Sequence, residues 1–149
     1  MRKAFSIAEL VIVAAIIGIL AALVTPLLHG HALEAKEAAA REIVQLLRGA
    51  IELYAARHAG VAPGYPDNDP TSGPTAQQFQ EQTTVQERCL LQIPQNPFNN
   101  LNRVRIIGND DDFPGEATGQ NGWIYQPATK IIHVDWPGSD RHGIRYFDY

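Results

Sequence analysis

The sequence predicts an α+β protein in which a long N-terminal helix, membrane-spanning in its first half, carries a small antiparallel β-sheet head. Three features of the chain point there: an apolar run from Leu10 to Leu28, an amphipathic run from Gly30 to about His58, and β-branched and aromatic clusters confined to the last third. The chain has 149 residues and a formal net charge of −4, so the residues left after the helix suffice for one small core and not for several domains.

From Leu10 to Leu28 every residue is apolar, Gly, Thr or Pro. At about 1.5 Å per residue such a run is long enough for a bilayer core of roughly 30 Å. Arg2 and Lys3 precede it with no acidic residue between them, which by the positive-inside rule predicts a cytoplasmic N-terminus and an extracytoplasmic head. A secretory leader cleaved near Ala32-x-x-Ala35 is the simpler alternative. Against it, Glu9 interrupts the start of the apolar region, and helical periodicity continues beyond the run. A carboxylate among apolar side chains in a membrane costs about 2.5 to 3.5 kcal/mol, so Glu9 requires a partner. Gly18 and Pro26 weaken the helix, since glycine costs about 1 kcal/mol relative to alanine and proline removes a backbone donor.

After Gly30, Ala39, Ile43, Leu46, Leu47, Ala50, Leu53 and Tyr54 recur at three- and four-residue spacing and predict an apolar stripe. Glu37 with Arg41, and Arg48 with Glu52, offer local charge support at four-residue spacing. Gly60 and Pro63 end the helix by about residue 58. Residues 60 to 76, rich in Pro, Gly, Asp and Asn, are a loop. Gln77 to Leu91 is a short helix anchored by Phe79, Val85, Leu90 and Leu91. Strands are expected at Val104 to Ile107, Gly122 to Tyr125 and Lys130 to Val134, the last two joined through Pro127-Ala128-Thr129 as a hairpin. Trp123, Tyr125, Ile132 and Val134 supply the face that lies on the helix stripe, and Gly143 to Tyr149 suggests a fourth, edge strand.

From residue 59 onward eleven acidic side chains face six basic ones, which argues against direct nucleic-acid binding. Cys89 is the single cysteine; it excludes an internal disulfide and is expected to be a buried apolar residue. Asp110, Asp112 and Glu116 form one weak calcium candidate, and Asp135 with Asp140 a second. Neither matches an EF-hand, and hard cations need six to eight oxygens, so solvated acidic loops are the competing reading. No other cofactor is expected. His29 and His31 lack cysteine or paired carboxylates nearby and are not expected to be ligands. No Gly-x-Ser-x-Gly, phosphate-cradling glycine loop or His-Glu-x-x-His occurs, so no catalytic residue and no enzymatic activity is predicted.

Met1-Arg2-Lys3-Ala4, then Phe5-Ser6-Ile7-Ala8-Glu9-Leu10 and the Ile/Val/Ala/Leu run with Gly18 and Pro26, resembles the N-terminus of the type IV pilin and type II secretion pseudopilin superfamily. Gly64-Tyr65-Pro66 and Asn96-Pro97-Phe98 resemble short pseudopilin motifs. The resemblance implies a leader of residues 1–4 cut by prepilin peptidase between Ala4 and Phe5, and N-methylation of Phe5. Ala4 stands where the family usually has glycine. Glu9 becomes the fifth mature residue, and pairing of the Phe5 amine with Glu9 of a neighbouring copy would set the axial register, because an unpartnered buried charge costs about 3 to 5 kcal/mol. Loosening between Gly18 and Pro26 on assembly is likewise implied.

The expected organisation is a leader (1–4), a transmembrane and filament-core helix (5–28), an amphipathic continuation (29–58) and an α+β head (59–149). The expected function is a structural subunit of a pilin-like filament, of the type II secretion kind given the lone cysteine, with a type IV pilus or DNA-uptake pilin as the near alternative. Its implied partners are copies of itself, other pilin-like subunits, prepilin peptidase and an inner-membrane assembly platform with a cytoplasmic ATPase. The expected location is the inner membrane as a single-pass protein, then a filament in the periplasm or at the cell surface. The rival from another class is a membrane-anchored binding module that does not polymerise.

Overall fold

A computed structural model describes the backbone of residues 6–149 and the side chains of 6–22 and 31–149. Helix α1 runs Ile7–Arg57. It closes where the Gly60 N–H donates to the Ala55 carbonyl at 2.8 Å, with Ala59 (φ 55°) and Gly60 (φ 91°) both left-handed, the geometry that satisfies the last carbonyls of a helix. Among the described residues no helix is long and apolar enough to cross a membrane, which overturns the membrane-spanning first half. The described apolar residues, Leu10 to Ala22, extend about 20 Å at 1.5 Å per residue, against about 30 Å of hydrocarbon.

The chain divides into two compact units, Met1–Ala35 and Lys36–Tyr149. In the second, α1 buries Ala40, Val44, Leu47, Ala50, Ile51 and Tyr54, a stripe at three- and four-residue spacing. This corrects the predicted stripe in part. Leu46 and Leu53 are half exposed, because the head covers only one face about 100° wide.

Helix α2, Ala76–Gln80, starts at Thr75, whose hydroxyl accepts from the Gln78 N–H at 3.2 Å. It continues as a π-helical turn, Glu81–Gln86, and not as a regular helix to Leu91. Gln82 ties this segment to the preceding loop: its Oε1 accepts from Gly64 N–H at 2.6 Å and its Nε2 donates to the Tyr65 carbonyl at 2.7 Å.

Three strands follow, β1 (Val104–Ile106), β2 (Trp123–Gln126) and β3 (Ile131–Val134), in the order β1-β2-β3. β2 and β3 form an antiparallel hairpin, but β1 pairs with β2 in parallel, Val104 opposite Trp123. The sheet is therefore mixed and not antiparallel. Segment 107–122 carries the chain back to the same end of the sheet, which parallel pairing requires. Gly122 lies at this return, where a Cβ would come within 2.2 Å of the Leu101 carbonyl oxygen, a contact only glycine allows.

Trp123, Tyr125, Ile132 and Val134 share one core with Val44, Leu47 and Ile51 of α1. Ile124, on the opposite face, packs with Ile107 and Phe147. The expected fourth strand is absent from the described sheet: Tyr146–Asp148 is a 3-10 turn, and a single bridge joins Ser139 to Arg145. Cys89 is half-buried and packs against the main core, a correction to the fully buried position expected of it.

Candidate functional site

The first turn of α1 is built by Ser6 and Glu9. Ser6 Oγ accepts from the Ala8 N–H at 3.3 Å, and Glu9 Oε2 accepts from the Ser6 N–H at 3.0 Å. This reciprocal arrangement satisfies two helix-end donors and places a carboxylate at the positive end of the helix dipole. Glu9 thus has a partner within its own chain. Ser6 is the residue that the sequence reading missed, although Ser-x-x-Glu before an apolar run is the signal for it. Ala4 and Phe5, where the resemblance implies processing, lie outside the described residues, as does the side chain of Pro26. Gly18 lies within α1, where a Cβ would meet nothing within 4 Å.

From Leu10 to Ala22 the helix is apolar all round. From Ile7 to Leu20 its large apolar side chains are 49 % to 84 % exposed. A soluble surface rarely leaves so continuous an apolar patch uncovered, so this is the most evident interaction surface of the first unit.

The acidic candidates behave differently from a metal site. Asp135 is buried and accepts from the N–H groups of Thr118 (2.6 Å), Gly119 (2.9 Å) and Asn121 (2.9 Å), with the Thr118 hydroxyl and the Asn121 side-chain amide also donating. Burial pushes its carboxyl up, but the donors of Gly119, Thr118 and Asn121 outweigh burial and hold it below the ordinary range. Asp140 accepts from Arg41 Nη2 (2.7 Å), the N–H groups of His142 (2.8 Å) and Ile144 (3.0 Å), and the Tyr149 hydroxyl (3.1 Å). Burial and then that hydrogen bond to Asp140 push the Tyr149 phenol up to about 12.

These two carboxylates are clamps within the fold. Asp135 closes the 118–121 loop, and Asp140 docks the 140–149 segment on α1. Arg41 lies 4.1 Å over the Tyr149 ring, Arg48 donates to the Tyr149 main-chain oxygen at 2.6 Å, and the Tyr146 hydroxyl bonds Glu37 at 3.0 Å. The charges of α1 that the sequence suggested for local helix pairs are used for tertiary contacts. Asp110, Asp112 and Glu116 lie in an irregular segment where Asp111 accepts from the Gly108 N–H at 3.2 Å. Among the described residues no group of three or more His, Cys, Asp or Glu side chains could hold a metal ion. Millimolar calcium is expected to leave the melting temperature of the full chain unchanged, because the oxygens of Asp135 and Asp140 are already taken by donors; a rise with calcium concentration would contradict this.

Compared with protein families, curated proteins and solved structures, the chain matches none.

Proposed function

We propose that the protein is a structural subunit of a pilin-like filament, of the type II secretion pseudopilus kind, with an extracytoplasmic head and the filament in the periplasm or at the cell surface. The observation that carries this reading is the apolar helix of Ile7 to Leu20, exposed on every side with a single carboxylate, Glu9, in its first turn. Such a helix needs cover, and copies of the same helix offer it with matching length and chemistry. The resemblance of residues 1–28 to prepilin N-termini supplies the rest. Prepilin peptidase releases and methylates Phe5, an assembly platform with its ATPase drives polymerisation, and the work done on an exported protein is mechanical.

In this reading Glu9 exchanges its Ser6 N–H for the Phe5 amine of a neighbouring copy as water is excluded. Removing one partner of a buried charge pair costs about 3 to 5 kcal/mol, and each 1.4 kcal/mol is a factor of ten. Glu9→Gln is therefore expected to lower filament yield, counted by electron microscopy after shearing, at least about tenfold. Mass spectrometry of the parent is expected to find methylated Phe5 as the first residue. An intact Met1, or a variant that polymerises like the parent, would remove the basis of the proposal.

A further inference from the structure

In the order β1-β2-β3, strand β1 is flanked by β2 on one side and by no strand on the other. The parallel ladder engages every second residue of β1. The Arg103 carbonyl accepts from the Gly122 N–H at 2.9 Å, the Ile107 N–H donates to the Tyr125 carbonyl at 2.9 Å, and Arg105 lies between them opposite Ile124. The main-chain groups of Val104 and Ile106 therefore point away from β2. Among the described residues none accepts from their N–H groups or donates to their carbonyls. Their side chains are half-buried against the main core, which holds the strand extended while its outer row stays unmatched. Such an edge takes up an extended chain as an added strand.

Arg105 defines the chemistry of that chain. It is exposed, and among the described residues nothing accepts from its guanidinium. Lys130 and Arg145 already hold the carboxylates of Glu52 and Asp148, and Arg103 donates to the Gln120 carbonyl at 2.9 Å. In a head with eleven acidic and six basic side chains from residue 59 onward, a cation without a carboxylate at an open edge is the exception. Just beyond β1 the Gly108 N–H donates to the Asp111 carboxylate at 3.2 Å, so the chain closes the end of its own strand with an acid.

We propose that β1 takes up an extended segment of another protein, one that sets a carboxylate opposite Arg105 and apolar side chains opposite Val104 and Ile106. Charge selects this occupant over a second copy of the strand. The antiparallel register that engages both Val104 and Ile106 of two copies sets Arg105 opposite Arg105, and like charges directly opposite are unfavourable. A cation on an edge keeps such strands away, whereas an acid-bearing strand gains a cross-strand pair. Val104 and Ile106 offer only two donors and two acceptors. The complex is accordingly weak and reversible, and the carboxylate carries its selectivity. The inference does not depend on the filament reading.

The test uses the unassembled full chain in mild detergent and two synthetic peptides, one alternating valine with glutamate and the other valine with lysine. Amide hydrogen exchange is followed residue by residue by NMR. At millimolar concentration the glutamate peptide is expected to slow exchange at Val104 and Ile106 about tenfold and to leave Arg105, already bonded to β2, nearly unchanged. The lysine peptide is expected to slow neither. Arg105→Glu, at an exposed position, is expected to keep the parent's melting temperature and to reverse the preference. N-methylation of the glutamate peptide on its valines or on its glutamates is expected to abolish the protection in one case and spare it in the other, because only alternate residues of an added strand face β1. No slowing with the glutamate peptide, equal slowing by both peptides, a preference that Arg105→Glu leaves unreversed, or protection that survives both methylations would each overturn the proposal. Protection that grows with protein concentration in the absence of peptide would assign the edge to a second copy and overturn it too.

Discussion

Asp135→Ala is expected to cost the head about 3 to 5 kcal/mol, read as a shift in the urea midpoint at constant slope. The carboxylate accepts from three main-chain N–H groups, of Thr118, Gly119 and Asn121, and is itself buried. Alanine removes the acceptor those three donors share, and a hydrogen bond to a charged group contributes about 1.5 to 3 kcal/mol. The effect also has a pH signature. The donors hold the folded carboxyl below its ordinary range, so the folded state favours the ionised form and the unfolded state binds the proton more readily. The stabilisation is then complete above the unfolded value of about 3.9 and is lost as pH falls through the lower folded value. The gap between parent and variant is expected to be full at pH 7 and to narrow below about pH 4. A gap that stays constant to pH 3 would show that the charge on Asp135 does not hold the loop.

Trp123→Ala is expected to be about as severe, at roughly 3 to 5 kcal/mol. Trp123 is fully buried at the centre of the mixed sheet, opposite Val104 of β1 and Val134 of β3, and its Nε1 donates to the Pro94 carbonyl at 2.9 Å. Truncation opens a cavity in the main core and strands that carbonyl. For a unit of about this size the melting temperature should fall by about 10 to 20 °C. Trp123→Phe keeps much of the ring and loses only the N–H, so a clearly smaller loss is expected. Equal losses for the two variants would place the weight on the hydrogen bond and away from packing. Because domains have about 5 to 15 kcal/mol in all, either Asp135→Ala or Trp123→Ala removes a large share of what holds the head together.

The candidate site was partly legible before the fold was known. Glu9 stands out in the sequence as an acid in an apolar run, but its nearer partner is Ser6, three residues earlier, whose N–H the carboxylate accepts from. Asp135 and Asp140 were visible only as acids near Trp136. Their roles were not, because the donors to Asp135 come from Thr118 to Asn121 and the cation that pairs with Asp140 is Arg41, residues brought near only by folding. Leu46 and Leu53, which the periodicity assigns to the core, lie at the surface for a related reason. Periodicity reports that a helix has an apolar side, and it does not report how wide a face the rest of the chain can cover.

What the sequence by itself determined was local: the extent of α1 from its periodicity and its closing glycine, the β2–β3 hairpin from β-branched and aromatic residues around a turn, and the absence of an internal disulfide from a single cysteine. Tertiary structure alone decided the parallel pairing of β1, the 3-10 turn in place of a fourth strand, and the conversion of the helix charges into clamps for Asp140 and Tyr149. The physical reason is that periodicity, caps and turns act between residues a few positions apart. Strand direction and the satisfaction of buried charge depend instead on groups as many as a hundred positions away, such as Arg41 and Tyr149.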